Sequence, residues 1–394
     1  MPRDALRWRL AIVPLCLTCT VARAQSSVTL YGLIDAGVTY ANHVAISTGH
    51  GSLVRFADGV AQGNRWGIRG VEDLGDGLRA IFTVESGFAV GTGTILQGGA
   101  LFGRQAWVGL KAKSIGSLTF GRQYTLSRDF IHNYTIAHES PAGNYAYHIN
   151  DLDQLVTSRI NNAVRFTSAD VSGFRFGVMY GFSNQAGEFA GSSSGTAGTV
   201  NSEGSSRTYS VGANYDNESF GFGIAYTNIR FPASATPAFT ATIANVDTGP
   251  LRNIKTLGIG SRYVADIGAI WGNWTHTQLV AIAGQSSTLN NYEIGGKYAF
   301  TPAVASGLGY TFSALSGRWT GRWHQINSFI DYKFSKTTEI YALAIYQKAS
   351  GSNEVDGQQV PVQAEIGASS TFIGNSGIGA NTQLALRIGL LHKF

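Results

Sequence analysis

The chain has 394 residues, of which 44% are apolar and 13% are charged, and it contains 50 glycines but only 8 prolines. Its 17 tyrosines, 21 phenylalanines and 7 tryptophans exclude a disordered chain, and its low charge excludes an ordinary helix-rich soluble enzyme. A helical membrane protein is excluded because no run of about 20 apolar residues exists outside the leader at the start of the chain. Abundant glycine and aromatic residues with little charge favour an all-β chain.

Residues 1–24 have the pattern of an export signal. Arg3, Arg7 and Arg9 precede a short apolar stretch that is too short to span a bilayer. Ala22-Arg23-Ala24 then supplies small residues at the cleavage positions. We therefore predict a signal peptide over 1–24 and a mature chain over 25–394.

Removal of this leader changes the net charge and the cysteine content of the chain. Both cysteines, Cys16 and Cys19, lie in the leader, so the mature chain has neither a disulfide nor a thiol site. The leader also holds four arginines and one aspartate, which leaves 25 basic and 23 acidic residues and a net charge of +2. This balance gives no argument for a nucleic-acid partner.

Extended segments repeat along the whole mature chain, separated by turns and loops. Sixteen segments are predicted as strands: 28–41, 63–72, 76–88, 100–113, 116–123, 161–169, 173–183, 205–216, 218–230, 252–265, 268–280, 288–300, 302–314, 321–334, 336–348 and 381–394. Short connections rich in Asp, Asn, Gly and Pro alternate with mostly longer ones. The longer connections are 42–62, 89–99, 124–160, 184–204, 231–251 and 349–380.

Short turns at one end and long loops at the other are typical of an antiparallel up-and-down barrel that crosses a membrane. Within 174–181, Phe174, Phe176, Val178 and Tyr180 share one face of the predicted strand. A lipid-facing arginine near the middle of a bilayer costs about 2–4 kcal/mol. We therefore expect Arg79, Glu85, Arg165 and Arg175 to face the interior. A soluble β-sandwich shows the same alternation, but it gives no reason for sorted loop lengths.

A closed wall follows from the same physics, because an open sheet edge is not viable in hydrocarbon. Sixteen strands enclose an interior wide enough for water, so the wall itself implies a pore. The last strand alternates apolar residues with polar or small ones and ends on Phe394, an aromatic residue suited to a membrane interface. The predicted fold class is thus an all-β transmembrane barrel of 16 strands.

Several motifs resemble the general diffusion porins of Gram-negative outer membranes, specifically the beta-proteobacterial type. These motifs are SSVTLYG (26–32) followed by Asp35, NRWGIRGVEDLG (64–75), AIFTVESGF (80–88), LFGRQAWVGL (101–110), FGRQY (120–124), RINNAVRF (159–166) and HKF (392–394). The resemblance covers 25–394. It implies an outer-membrane homotrimer in contact with membrane lipid and lipopolysaccharide, in which each barrel is a water-filled channel for ions and small hydrophilic solutes.

The resemblance also implies that the third long loop folds into the barrel as a constriction. Here that loop is 124–160, the longest connection in the chain, and its tyrosines make it too apolar for a disordered rim. Wall arginines and loop carboxylates face each other in similar porins. By motif match the arginines are Arg65, Arg104, Arg122 and Arg159. Strict alternation places Arg122 on the outer face with Phe120, so its inclusion requires a bulge or a subunit interface.

The acidic candidates of the loop are Asp129, Glu139, Asp151 and Asp153. Which carboxylate reaches the arginines is left open, because the loop lacks the acidic pattern of the enteric relatives. Charges on low-dielectric walls act strongly on permeating ions, and arginines favour anions. We therefore predict weak charge selectivity, with a preference for anions.

Other functions explain the same residues less well. A substrate-specific porin for a small organic anion or a sugar is the alternative, and a current that saturates with such a solute would distinguish it. A barrel enzyme is not predicted, because the sequence shows no nucleophile elbow and no histidine with convincing partners. A structural or adhesive barrel would show no conductance. No cofactor and no metal site are predicted, and His132, His138 and His148 have no zinc-like spacing.

Overall fold

The computed structural model describes residues 26–156, 158–182, 207–231, 240–243, 246–367 and 373–394. The predicted signal peptide over 1–24 and the whole of the predicted loop 184–204 lie outside these residues. The wall of the molecule is a closed antiparallel barrel of 16 strands. The strands are β1 Ser27–Ile46, β2 Arg65–Gly75, β3 Leu78–Gly87, β4 Gln105–Ala112, β5 Gly116–Tyr124, β6 Arg159–Ser168, β7 Phe174–Gly181, β8 Thr208–Asp216, β9 Phe220–Arg230, β10 Val246–Ala265, β11 Gly268–Ala281, β12 Ser286–Ala299, β13 Val304–Gly317, β14 Gly321–Lys333, β15 Thr338–Ser350 and β16 Thr382–Lys393.

The barrel closes where its first strand pairs with its last. Leu33 pairs with Lys393 and Ala41 with Ala385, so no free edge remains between β1 and β16. Each of the sixteen predicted segments corresponds to one wall strand, which confirms the fold class. Boundaries differ most at β10, which begins at Val246 although the sequence pattern placed its start at 252.

Three of the predicted loops contain additional short strands: Gly49–Asp58 in 42–62, Thr240–Ile243 in 231–251, and Ser352–Val355, Gln358–Pro361, Glu365–Ile366 and Gly374–Asn375 in 349–380. Gly49–Asp58 lies in the predicted connection 42–62. It pairs with residues 36–46 of β1, whereas β2 pairs with residues 27–33 of the same strand. Asp35 lies at the junction of the two halves and fixes the chain that separates them. Its main-chain oxygen accepts from Gly59 N at 2.8 Å, and its Oδ2 accepts from Ala61 N at 2.7 Å. This carboxylate therefore explains the break between the two strands.

The wall alternates between an exposed apolar face and a buried face. Phe174, Phe176 and Val178 of β7 are exposed, whereas Met179 is buried, as expected for side chains that point alternately to the two faces of a strand. The exposed face is apolar around the barrel, which suits contact with lipid. Glu85, predicted to face inward, is 4% exposed.

The longest described connection, between Tyr124 and Arg159, forms short helices. They are α1 Leu126–Phe130 and α2 Ile136–Glu139, accompanied by three 3-10 turns, His132–Tyr134, Gly143–Ala146 and Ile149–Asp151. Thr125 caps α1, since its hydroxyl accepts from the main-chain N of Arg128. None of the helices in the described ranges is long and apolar enough to cross a membrane.

Glycines on the buried face of the wall let this loop pack closely against the strands. A Cβ atom added to Gly260 would lie 2.8 Å from Tyr134, and one added to Gly212 would lie 2.8 Å from Phe130. Gly309 has the same relation to Ile136, at 2.1 Å. Other wall glycines in contact with the loop are Gly177, Gly221, Gly223 and Gly258. The missing side chains thus make room for the loop.

Candidate functional site

Four arginines gather around the ring and hydroxyl of Tyr124, at the end of β5. We call Arg65, Arg104, Arg128 and Arg159 the arginine cluster. Arg104 Nη2 donates to Tyr124 Oη at 3.1 Å and Arg159 Nη2 donates to it at 2.6 Å. The guanidinium carbons of Arg128 and Arg159 lie 5.2 and 4.6 Å from the centre of the ring. A tyrosine ring stabilises such cations through its negative π-face.

One carboxylate lies among these arginines. Glu85 Oε1 accepts from Arg104 Nε at 2.8 Å, and its Oε2 accepts from Tyr31 Oη at 3.0 Å. Arg65 is close enough to Arg104, Arg128 and Glu85 to interact with them electrostatically, and it donates to Gln62 at 2.9 Å. Of the four guanidinium groups, Arg104 is hydrogen-bonded to this carboxylate, and Arg65 interacts with it electrostatically. In the described part of the chain, neither Arg65 nor Arg128 forms an ion pair, so positive charge is in excess.

Arg122 lies at a bulge next to this cluster. The register between β5 and β6 shifts between Gly121 and Gln123. A bulge that could turn Arg122 away from the outer face is therefore present. Arg122 Nε donates to the main-chain oxygen of Gly103 at 2.8 Å, and its Nη1 donates to Asn161 Oδ1 at 2.6 Å. These bonds hold Arg122 between β6 and the chain that leads into β4.

Two loop carboxylates are bound by cations of the wall that are not members of the cluster. Asp129 forms an ion pair with Arg165 of β6. Glu139 accepts from Lys297 Nζ at 2.6 Å and from Arg262 Nη1 at 3.0 Å. Burial raises the pKa of Glu139, but hydrogen bonds and charge from His138, Lys297 and Arg262 outweigh it and lower the pKa to about 2. Glu139 is therefore ionised at neutral pH and links the loop to β10 and β12.

A buried histidine anchors the loop to β12. His148 Nδ1 bonds to Asp153 Oδ2 at 2.5 Å, and its Nε2 bonds to Glu293 Oε2 at 3.1 Å. Burial lowers the pKa of His148, but Asp153 and Glu293 outweigh it and raise the pKa to about 10. His148 is thus a cation at neutral pH, held between two carboxylates.

The same anchor uses further polar groups of the wall and the loop. Thr275 Oγ1 donates to Asp153 Oδ2 at 2.8 Å, and Glu293 Oε1 accepts from the main-chain N of Ile136 at 2.7 Å. Asp151 is 2% exposed, and its Oδ1 accepts from Val156 N at 3.0 Å. Asp151 and Asp153 therefore participate in the structure of the loop and its attachment.

The structure brings three of the four predicted arginines, Arg65, Arg104 and Arg159, around Tyr124, with Arg122 beside them. It distributes the four predicted carboxylates over three other places. Sequence reasoning missed Arg128 as a member of the cluster, Tyr124 and Glu85 as partners of the cluster, and the wall partners of the loop. A signal for those partners existed in the alternation, because Arg262, Glu293 and Lys297 all have the inward parity of their strands.

A closed barrel of this size with an apolar exterior and a charged interior site defines an outer-membrane channel. A family model described as Gram-negative porin matches residues 11–352. The chain therefore belongs to the Gram-negative porin family and is a multi-pass protein of the outer membrane.

Curated relatives come from beta-proteobacteria. An outer membrane porin protein of Bordetella pertussis is 40% identical over 176 residues, which cover 41% of this chain and 44% of that protein. The match thus spans less than half the length of that relative. Outer membrane porin protein 32 of Delftia acidovorans is 24% identical over 387 residues, which cover 95% of each chain.

Solved structures share the fold. The anion-selective porin from Comamonas acidovorans superposes with a TM-score of 0.71 at 20% identity, over 94% of this chain and 100% of that one. OmpF of Salmonella typhi, in complex with daunomycin, has a TM-score of 0.58 at 16% identity, over 93% and 97% of the two chains. These likenesses establish the barrel architecture.

Proposed function

We propose that this chain is a diffusion channel with a weak preference for anions, and that residues 124–160 lie inside the barrel and narrow its pore. The contacts between the loop and the inward-facing wall support this placement of the loop. Tyr134 packs on Gly221, Gly223 and Gly260, whose added Cβ atoms would lie 2.8–2.9 Å from its side chain. Glu139 and His148 attach the same loop to two wall strands, β10 and β12.

The excess positive charge of the arginine cluster is the single observation that carries the anion preference. Arg104 shares its charge with Glu85 at 2.8 Å, while Arg65 and Arg128 form no ion pair within the described residues. A low-dielectric wall focuses such a field into the aqueous path and raises the local concentration of anions. Chloride and small organic anions therefore pass the constriction at a lower electrostatic cost than cations of the same size.

The loop carboxylates limit this preference without reversing it. Asp129 and Glu139 pair with Arg165, Lys297 and Arg262, and each pair adds little net charge to the path. The wall also holds Asp216 and Asp331, so carboxylates as well as cations contribute to the electrostatic field in the interior. Weak selectivity is the expected result, in contrast to the strict selectivity of a substrate-specific porin.

A homotrimer is the proposed assembly. The strands β2 to β5 are short, 8–11 residues, and expose aliphatic side chains such as Val108, Leu110 and Leu118. Such a face suits packing against a second copy as well as lipid. One structural neighbour, OmpT of Vibrio cholerae, is described as a trimer form.

The test is a planar-bilayer recording of the refolded mature protein across a KCl gradient. Stepwise conductance and a small reversal potential with the sign of chloride permeation support the proposal. A cation-selective reversal potential contradicts the role of the arginine cluster. A current that saturates with an organic anion or a sugar would instead identify a substrate-specific porin, and folded protein without conductance would contradict the open channel.

A further inference from the structure

Two histidines meet at the end of the barrel that carries the long connections. His43 lies near the end of β1, and His50 lies on the short strand Gly49–Asp58 that pairs with β1. The centres of their rings are 4.6 Å apart, and the ring planes make an angle of 70°. We call these two residues the histidine pair. His43 is half-buried and His50 is exposed, so solvent reaches the pair.

A bulge in β1 lies at the first of these residues. The register between the two strands shifts between Ala41 and Val44, and His43 has a φ of 47° inside this bulge. Bulges re-aim side chains, and a positive φ is uncommon for residues other than glycine. The backbone therefore adopts an unusual conformation at the residue whose imidazole contacts the second imidazole.

A main-chain carbonyl fixes the tautomer of His43. Its Nδ1 donates to the oxygen of Thr382, at the start of β16, at 2.8 Å. A carbonyl oxygen only accepts, so Nδ1 carries the hydrogen and Nε2 of the neutral ring carries the lone pair. Histidines that bind metals almost always make such a second hydrogen bond, which orients the ring. His50 forms no hydrogen bond with any residue that the structure describes, so its ring can turn toward the same point.

The histidine pair lies on the outer side of the barrel, beyond the apolar band. Val54 and Phe56 are 70% and 55% exposed, and His50 has the same parity on their strand, so it points outward. Tyr40 Oη and Ser52 Oγ lie 3.4 Å apart on the same face, nearer to the middle of the barrel. A tyrosine at such a level is typical of the membrane interface. Long loops face the outside of the cell, so ions of the surrounding medium have access to the pair.

The separation of the two rings favours one coordination geometry. A metal ion bonded at about 2.0–2.1 Å to one nitrogen of each ring lies about 3.2 Å from each ring centre. Ring centres 4.6 Å apart then correspond to an N–metal–N angle of about 90°, whereas a tetrahedral site requires a separation of about 5.2 Å. A right angle suits the tetragonal geometry of Cu²⁺, which also binds nitrogen ligands more tightly than the other divalent ions of the first transition row.

We propose that the histidine pair binds one Cu²⁺ ion, with water in the remaining coordination positions. Within the described ranges, no group of three or more His, Cys, Asp or Glu side chains is arranged to hold a metal ion. The protein therefore supplies two ligands, and the ion is exchangeable with the medium. A bound ion joins the two strands of the hairpin, because His43 belongs to β1 and His50 to its partner strand. The inference is independent of the proposed channel function, which concerns the inward face.

The experiment combines equilibrium dialysis and electron paramagnetic resonance of the untagged, full folded protein, with CuCl₂ as the probe. The wild type is expected to bind one Cu²⁺ ion that is coupled to two imidazole nitrogens. His43→Asn/His50→Gln removes both ligands, and asparagine tolerates the positive φ at 43. Loss of a group that merely orients a ligand weakens metal binding 10–100-fold, so loss of both ligands is expected to weaken it at least about 100-fold.

The matched control is His324→Gln/His392→Gln. It removes two exposed histidines that bond to different residues, Tyr310 and Thr338, and do not contact each other. This variant is expected to bind Cu²⁺ as the wild type does. Each single variant of the pair is expected to show coupling to one imidazole nitrogen and an intermediate affinity.

Three results would overturn the proposal. The first is equal Cu²⁺ binding by the wild type and by His43→Asn/His50→Gln. The second is a wild-type spectrum with a single imidazole nitrogen, which would place the ion on one histidine alone. The third is tighter binding of Zn²⁺ than of Cu²⁺, which would contradict the right-angle geometry. Single-channel conductance of each variant without metal confirms that it is folded, and its selectivity tests the proposed function separately.

Discussion

The two sides of the long loop differ in how their charges are balanced. On the side of Tyr124, four arginines surround the tyrosine; Arg104 pairs with Glu85, whereas Arg65 and Arg128 lack an ion pair within the described residues. On the opposite side, Glu139 is bound by two cations, and His148 is held between two carboxylates. The side with balanced charges attaches the loop to the wall, whereas the excess positive charge of the other side can act on permeating ions.

This difference teaches that a carboxylate in the long loop need not serve selectivity. Taking a charge out of water costs several kcal/mol, and only a close partner repays it. Asp153 and Glu139 are 1% and 9% exposed and have such partners, so their field is largely cancelled. The predictions below separate attachment from selectivity, from the largest effect to the smallest.

The largest effect is expected from the buried anchor. Asp153→Asn leaves the His148 cation with Glu293 alone and is expected to destabilise the loop attachment by about 3 kcal/mol, near the lower end of the cost of breaking a buried pair. The folded band in a heat-modifiability gel should be lost at a lower temperature, and open-channel noise should rise. The control is Asp356→Asn in an exposed turn with φ of 51°, which asparagine tolerates. An unchanged transition for Asp153→Asn would refute the anchor.

A smaller effect is expected where the loop packs on the wall. Gly260→Val places side-chain atoms where Tyr134 lies, because even a Cβ atom would be 2.8 Å from that ring. Overpacking of this kind costs about 1–3 kcal/mol. The conductance should change as the loop is displaced, whereas Gly296→Val, whose Cβ would be 3.4 Å from its nearest neighbour, should leave it close to the wild-type value. Equal conductance in both variants would contradict the packing of the loop on Gly260.

The anchor also predicts a pH dependence. The pKa of His148 is raised from 6.5 to about 10 by Asp153 and Glu293, against the effect of burial. Its stabilising contribution is therefore fully present below about pH 6.5 and is lost as the pH rises through about 10. The transition temperature of the folded protein should fall over this window. His148→Gln should abolish that part of the fall, and a wild-type profile identical to that of the variant would contradict the prediction.

The smallest effect is expected from the partly exposed pair of Asp129 and Arg165, whose side chains are 35% and 12% exposed. Exposed ion pairs contribute about 0.2–1 kcal/mol. Asp129→Asn should leave the melting transition close to that of the wild type and increase anion preference slightly, because Arg165 loses its partner. A shift of the ion selectivity of Asp129→Asn toward cations would contradict this prediction.

Much of the wall could be predicted from the sequence because a strand has a simple period. Phe174, Phe176 and Val178 alternate with polar or small residues, and the structure exposes all three. A two-residue period determines the face of every side chain once one residue is assigned. Asp35 shows the limit of this reasoning. Its hydrogen bonds to Gly59 and Ala61 lie where the strand Gly49–Asp58 ends and the chain continues toward β2, although the alternating pattern of β1 itself is not interrupted.

The sequence predicts 124–160 as a functional segment, and that remains a prediction, but it does not predict the contacts of the loop. Its length and aromatic content singled out 124–160, yet the partners of its carboxylates lie far away in sequence. Glu139 binds Lys297, and Asp153 binds Thr275. Such pairs depend on how the barrel closes, so no local pattern encodes them. Arg122 is intermediate, because parity alone required a bulge and the register shift at Gly121 provides one.

The most direct test of the central claim compares the reversal potentials of two double variants in a KCl gradient. Arg65→Gln/Arg159→Gln removes two charges of the unbalanced side, and it should shift the chloride-to-potassium permeability ratio toward cations by about fivefold or more, since one unit charge at ~4 Å in water is worth about 1 kcal/mol. Glu139→Gln/Lys297→Met removes a balanced pair and should leave the ratio close to that of the wild type. The reverse result, a large shift for Glu139→Gln/Lys297→Met and none for Arg65→Gln/Arg159→Gln, would contradict the claim that the arginine cluster determines selectivity.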